Sequence, residues 1–472
     1  MSSGHHPLAG PGAAVVGLAT GAYAAATAYL LFGVERADAR TICACAGLLV
    51  LTYPVAARAL SLRWAVAIGL ALRVAAVFAW PALSDDVYRF VWDGELWLAG
   101  LHPLDAPPSA IAISGEAGAA FAETQRELLE RMNSPDYHTV YPPLAQAVFA
   151  AAAYLGREVT ASSMLIKLAL LAADAGSLLV IYTLTRSTSR RPTVAYALHP
   201  LPIVELVGNA HFEALAVLGV LAAVYYSRAT RSPSAVGSPE SPVVRHLLAG
   251  GALGLGALSK LVPLVFAPAL FLQAIWREGG RPRWRGGLAA AAACAGLLAA
   301  GFAVFFTGVD ARGFGDSLDL YFRNFEFNGS LYALARGAGW WYRGWNWIAV
   351  VGPGLALIGA FGILLVSVIG ARRRADPANT LLWCGAIYLL CATTVHPWYF
   401  AYLVALGCLT PYRWPLLLGV TALVSYVAYS RHPVAVPAWA LAVEYLPPAI
   451  LAAIELRWRR VSDGSEEPTL AP

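Results

Sequence analysis

Apolar runs recur along almost the whole chain, each closed by a short loop, and this repetition leaves few folds open. They fall near 13–33, 41–60, 64–81, 163–184, 193–207, 211–228, 246–259, 261–276, 287–307, 346–370, 379–395, 397–411, 414–430 and 437–456. Of the 472 residues, 58% are hydrophobic and only 13% are charged; a soluble domain carries roughly 25% charged residues. Backbone groups inside a bilayer find no water, so a crossing segment must be a helix or part of a closed barrel. Runs of this length predict an all-α polytopic membrane protein with about 12–14 transmembrane helices. The net charge of +5 is no nucleic-acid signal, because the positive charge lies in the short loops between runs.

Those loop charges predict an orientation. With the N-terminus in the cytoplasm, the inner loops hold Arg58 and Arg63; Arg186, Arg190 and Arg191; and Arg228, Arg231 and Arg245. Further along they hold Arg277, Arg281, Arg283 and Arg285; Arg372, Arg373 and Arg374; Arg413; and Arg457, Arg459 and Arg460. Every strongly basic short loop then lies inside, as the positive-inside rule asks. This requires the helix-like run 143–156 to lie at the outer interface without crossing. Both termini become cytoplasmic, and two long loops, 82–142 and 308–345, face outward. The expected layout is one transmembrane domain over 1–460, with extra N-terminal helices in 1–63 and a disordered cytoplasmic tail at 461–472. The first run lacks a basic leader and reads as a retained helix. Residues 116–132 are patterned as an amphipathic surface helix. The six cysteines lie in or near apolar runs without metal or redox spacing, and read as small core residues.

The polar residues that interrupt this pattern carry the functional signal. Ser84-Asp85-Asp86-Val87-Tyr88-Arg89 follows an apolar run, so two adjacent carboxylates stand at a helix end beside an arginine. Carboxylates near a bilayer are costly and mark functional sites by default; the plain alternative is a hydrated acidic loop. A carboxylate can take the proton of an acceptor hydroxyl as it attacks an anomeric carbon, and its neighbour can shift its pKa or orient the acceptor. The residues alone leave open which of Asp85 and Asp86 does which. Asn133–Leu144 holds Asp136, His138 and Tyr141 before two prolines that fix an extended lead into a helix. That is a plain helix start, or the rim of a sugar site.

Four further clusters follow. Gly208–Glu213 places His211 and Glu213 at the turn of a tight membrane hairpin, where polar packing is the plain alternative. Lys260, one of only two lysines, sits within about thirty apolar residues, where it can hold a lipid phosphate or snorkel to the interface. Tyr321–Ser330 offers Arg323 for a phosphate and Asn328 with aromatic neighbours for a sugar or prenyl chain. Trp340, Trp341, Trp345 and Trp347 after it read as an interfacial belt. His396-Pro397-Trp398-Tyr399 is a helix cap or a donor contact. Under the arginine-derived orientation all these clusters face the same side. No phosphate-loop, dinucleotide or zinc-peptidase motif is present in the sequence.

At these residues the chain resembles the GT-C superfamily of integral-membrane glycosyltransferases, especially the bacterial polyprenyl-phosphate-mannose-dependent mannosyltransferases. The likeness is carried by Ser84–Phe90, Trp92-Asp93-Gly94, Gly100-Leu101-His102-Pro103, Tyr141-Pro142-Pro143-Leu144, Ser259-Lys260, Phe327–Ser330 and His396–Tyr399. It implies a GT-C-type fold in a bacterial inner (plasma) membrane with an extracytoplasmic active site. Asp85 matches the first acid of the family's pair and would be the base, with Asp86 as its partner. The donor would be a lipid-phosphate sugar whose anomeric centre is inverted. Lys260, Arg323 and Arg89 would bind the donor phosphate. Asp93, His102, Asp136, His138, Tyr141, His211, Glu213, Asn328, His396, Trp398 and Tyr399 would line the sugar and acceptor sites. Two departures are an Asp-Asp pair where some relatives have Asp-Glu or Asp-x-Asp, and two apolar helices ahead of the usual first one.

The residue chemistry agrees with that implication. Phosphate leaves adequately when a cation meets it, so no cofactor or metal is required; a divalent ion bridging the carboxylates to the phosphate is a second route. The expected partners are a polyprenyl-phosphate sugar, a lipid or glycan acceptor and membrane lipids, with no nucleic acid. Mannose is expected, with glucose, galactose or arabinofuranose making similar demands. The rivals are a lipid or solute transporter and a membrane scaffold. The first usually shows paired halves with interrupted helices at the midplane, which the sequence lacks.

Overall fold

The computed structural model describes residues 12–114, 126–231, 241–276 and 284–464. It is helical throughout, and the isolated bridges of Phe327 and Asn328 to Thr394 are the β pairing among the described residues. The expected 116–132 helix lies largely outside them; its end, 126–131, is helical.

The first helices are α1 (Ala13–Phe32), α2 (Ala39–Ala59), α3 (Leu62–Phe78), α4 (Asp86–Leu98), α5 (Pro108–Ser114), α6 (Pro143–Gly156), α7 (Val159–Thr185) and α8 (Arg191–Ala197). A π-helical segment, Pro202–Gly208, precedes α9 (Glu213–Arg231) and α10 (Pro242–Ser259). A 3₁₀ turn, Val262–Phe266, leads into α11 (Ala267–Ile275), followed by α12 (Trp284–Phe305), α13 (Arg312–Asn324), α14 (Ser330–Arg343), α15 (Ile348–Arg372) and α16 (Pro377–Cys391). After a second 3₁₀ turn, Pro397–Phe400, come α17 (Ala401–Cys408), α18 (Trp414–Thr421), a 3₁₀ segment Ala422–Ser430 and α19 (Ala438–Gly464).

Among the described residues six helices are long and apolar enough to cross a membrane: α1, α2, α7, α12, α15 and most of α19. Others are short or broken. The apolar runs 193–207 and 211–228, expected as the arms of a tight hairpin, are α8, a break, the π-helix and α9, with the last two bent by 118° at the expected turn. Pro200 and Pro202 account for the break, because proline removes a helical donor and clashes with the preceding turn. α6 has 14 residues, about 21 Å, too short to cross a hydrocarbon core of about 30 Å along its normal. The final helix continues to Gly464, into the segment expected to be disordered; residues 465–472 lie outside the described part.

A broken helix inside a membrane leaves carbonyls that need donors. Arg73 of α3, fully buried, meets this need at the end of α8. It donates to Ala197 O at 2.6 Å and Tyr196 O at 3.4 Å, and pairs with buried Asp174 of α7. Tyr23 closes the next carbonyl, Leu198 O, at 2.5 Å. Close helix approaches rest on small residues: a Cβ on Gly250 of α10 would lie 1.9 Å from Ala290 O of α12.

The chain shuttles between two ends of this bundle. At one end Arg191 reaches the carbonyls of Ala57 and Leu60 at 3.3 and 3.5 Å, and Arg228 forks onto Asp376 at 2.8 and 2.7 Å. There too, Glu455 accepts from the backbone of Arg413 at 3.0 Å. The other end gathers the α1–α2 turn, the α3–α4 connection, the bend at 209–212, Lys260 and the segments around 327 and 396. The basic short loops and the polar clusters therefore occupy opposite ends.

Candidate active site

The α3–α4 connection is fixed before its carboxylates are aimed. Asn209, in the bend, accepts from the Leu83 amide at 3.1 Å, and Ser84 Oγ accepts from the Asp86 amide at 3.3 Å. Asp85 then occupies the N-cap position of α4 without capping it, and Asp86 opens the helix. Acidic residues suit this end of a helix dipole.

The two carboxylates diverge. Asp86 turns inward, its side chain 18% exposed. Its Oδ2 accepts from Tyr141 OH at 2.9 Å and lies 3.8 Å from His211 Nδ1; its Oδ1 accepts from Asn133 at 3.2 Å. Burial pushes its carboxyl upward, but His211, Lys260 and the two hydrogen bonds outweigh burial and hold it below the usual value. Asp85, 39% exposed, pairs through Oδ2 with Arg36 from the α1–α2 turn.

Behind Asp86 the pocket is lined by buried polar groups. His211 stacks on Trp398 at 3.6 Å between ring centroids, Trp398 on His396 at 4.4 Å, and His396 on Phe327 at 4.7 Å. His211 Nε2 lies 3.5 Å from Glu205, which also accepts from Tyr426 OH at 2.9 Å and Asn209 at 3.3 Å. Lys260 Nζ is 3.6 Å from buried Glu213 and 4.8 Å from the centroid of the Tyr141 ring. Both oxygens of Glu213, His211 Nε2, His396 Nδ1, Trp398 Nε1 and Tyr402 OH lack hydrogen bonds among the described residues. Buried polar atoms are ordinarily satisfied, and such a concentration makes this cluster the candidate place for a polar ligand.

An apolar cavity of about 500 Å³ lies along α15. One wall is the small-residue face of α15, Gly352, Ala356, Gly359 and Ala360; the other includes Val265, Tyr388, Cys391, Thr393 and Thr394. Ala356 and Ala360 are exposed, so the cavity opens onto the bundle's apolar exterior. Val265 follows Lys260 closely in the chain, and Thr394 precedes His396.

The structure brings together Asp85, Asp86, Tyr141, His211, Glu213, Lys260, His396 and Trp398, with Tyr399 against His396 at 5.6 Å. It does not bring the other sequence candidates there. Arg89 is engaged by Asp93 at 2.8 Å and by Tyr137 O at 2.9 Å, while Asp93, fully buried, also accepts from Gln146 at 2.7 Å. These contacts pin residues 134–146 onto α4, leaving Arg89 no free face for a phosphate. His102 Nε2 meets Phe305 O at 2.8 Å and docks the turn after α4 onto α12. Asp136 is exposed, and His138 packs against Gly313 of α13. Asn328, at φ +54°, donates to Glu444 at 2.8 Å and ties the second loop to α19. Arg323 lies in α13, and its side chain is outside the described residues. Sequence reasoning missed Arg36, Glu205, Tyr402, Tyr426 and Tyr429. Glu205 had a signal, a carboxylate inside an apolar run. Arg36 had a weaker one, a basic residue in a short turn at the end opposite most short-loop arginines.

A model of the alpha-(1->6)-mannopyranosyltransferase family, N-terminal domain, matches residues 6–276, which include both carboxylates, the bend and Lys260. The chain belongs to the MptA/B mannosyltransferase family. It is a multi-pass membrane glycosyltransferase that transfers mannose. The match begins ahead of α1, so in this mannosyltransferase the N-terminal hairpin lies within the family's own domain. Comparison with curated proteins and with solved structures finds no match.

Proposed function

We propose that this enzyme transfers mannose from a polyprenyl-phosphate-mannose donor to a lipid or glycan acceptor at the outer face of the inner membrane, with inversion. The observation that carries this reading is Lys260 standing 3.6 Å from Glu213 in the carboxylate cluster, with the turn that follows it supplying Val265 to the wall of an apolar, exterior-facing cavity. A prenyl-phosphate sugar has an apolar tail, an anionic link and a reactive carbon at the interface, in that order. The family description adds the product linkage, α-(1→6). The gathering of arginines at the opposite end supports the outward orientation.

Asp85 serves as base because its Oδ1 carries no partner among the described contacts, while Asp86 already accepts on both oxygens. The acceptor hydroxyl attacks C1 of the mannose as its proton passes to Asp85. A new C1–O bond forms, the C1–O bond to phosphate breaks, and the electron pair leaves on polyprenyl phosphate, met by Lys260. A β-linked donor gives an α-mannoside. Asp86, held by Tyr141, Asn133 and His211, orients the acceptor.

Transfer of labelled mannose from synthetic polyprenyl-phosphate-mannose tests this in purified, equally folded protein. Asp85→Asn should lower kcat by about 10²–10⁴, the range of general acid–base catalysis. Lys260→Met should chiefly raise KM for the donor. Full activity in Asp85→Asn sinks the assignment of the base, and turnover with a nucleotide-linked mannose but not the lipid donor sinks the donor.

A further inference from the structure

The turn at 33–38 is docked, not merely tethered. Val34 is buried in the core, and Asp38 is occupied in capping α2 through Thr41 N at 3.1 Å, so it does not compete for Arg36. Arg36 is thereby left to face the site. Its guanidinium pairs with Asp85, 49 residues away in the chain, and lies 3.6 Å over the ring of Tyr429 from the segment before α19. Its Nε is buried without a hydrogen bond. Glu35, beside it, is exposed.

These contacts close a circuit. Asp85 meets Arg36, Arg36 covers Tyr429, and Tyr429 packs on Tyr426 at 6.1 Å. Tyr426 donates to Glu205, which faces His211, which faces Asp86. The two adjacent carboxylates are thus held apart within a ring of side chains drawn from four separate stretches of chain. Like charges side by side repel, and without a cation on one of them the pair would not keep a fixed divergent geometry. A planar guanidinium clamped on an aromatic face loses little further freedom in gripping a carboxylate, and so sets its position well.

We propose that Arg36 is a positioning residue of the transfer site: held over Tyr429, it fixes the Asp85 carboxylate where the acceptor hydroxyl must meet it. The α1–α2 hairpin is then part of the active site and not an accessory anchor. This role rests on Asp85 being the base.

The test is steady-state transfer from polyprenyl-phosphate-mannose by the full chain carrying Arg36→Gln, Arg36→Lys, Asp85→Asn and Arg36→Gln with Asp85→Asn. Arg36→Gln should lose about tenfold or more in kcat, the scale of one charge-assisted hydrogen bond, with donor KM within about twofold. Arg36→Lys should recover part of that loss. In the Asp85→Asn background Arg36→Gln should cost nothing further. A merely structural role predicts equal losses in both backgrounds and no recovery by lysine, and that result overturns the proposal. Wild-type kcat in Arg36→Gln with an inactive Asp85→Asn also overturns it and leaves the base standing. A fully active Asp85→Asn overturns the base itself.

Discussion

Two neighbouring aspartates with the same side chain receive different environments because α4 begins between them. Asp86 takes up the first helical position and faces Tyr141, Asn133 and His211; Asp85, one residue earlier, points to the α1–α2 turn. The carboxyl of Asp86 is held below its ordinary 3.8 in the fold. A depressed pKa contributes stability that is complete above the unfolded value and disappears as pH falls through the folded one. Melting of the detergent-solubilised protein should therefore show this contribution above about pH 4 and its loss at more acid pH. Asp86→Asn should lack that acid-side step, and an unchanged step in the variant would assign it to other carboxylates. That a pair of acids after a helix matters is visible in the letters Ser84-Asp85-Asp86. Which partners each acid takes is not, because the answer lies in residues as remote as Arg36 and His211.

At the scale of elements, the breaks in the helices matter more than the helices. The bend after the π-helix brings Asn209, His211 and Glu213 to the site, and α8 ends inside the bundle to permit it. Arg73 and Asp174 stabilise that interruption. Removing one member of a buried ion pair costs about 3–5 kcal/mol, because it strands the other charge. Arg73→Met should therefore destabilise by about that amount and also free the carbonyls of α8. Arg73→Met with Asp174→Leu should regain a large part of the loss in denaturation of the purified protein. Equal stability of the single and double variants would remove the pair from this account. The apolar runs made these helices easy to anticipate. The turn at Gly208–Glu213 was legible as a hairpin, whereas the break between α8 and the π-helix was not, because proline marks a break without telling the direction in which the chain resumes.

At the scale of the whole molecule, the segregation of charge proposes an orientation that labelling can check. Cysteine introduced at exposed Asp136 should react with a membrane-impermeant maleimide in intact cells. Cysteine at exposed Arg373 should react only after permeabilisation. The opposite pattern would invert the topology. The cavity along α15 makes a separate prediction for the donor. Ala356→Phe should raise KM for a long-chain polyprenyl-phosphate-mannose several-fold and leave a short-chain analogue nearly unaffected. Equal effects on both would place the prenyl chain elsewhere. The exposed Trp340, Trp341 and Trp345 suit the expected interfacial belt.

The sequence by itself determined the class of fold and set the expectation that the polar clusters share one end of the bundle. Hydrocarbon admits only segments whose backbone groups pair internally, and most charge is kept to their ends, so both expectations are written in local composition. It also carried the family resemblance, through short motifs whose order along the chain needs no folding to read. Tertiary structure alone decided which polar residues meet. Arg89 and Asp93 turned to scaffolding, His102 and Asn328 to docking loops, and Arg36 and Glu205, outside the sequence candidates, joined the cluster around Asp85 and Asp86. The physical reason is that an ion pair or hydrogen bond forms wherever packing brings two groups within about 3 Å. Packing among many helices is set by contacts far apart in the chain, which no local pattern records.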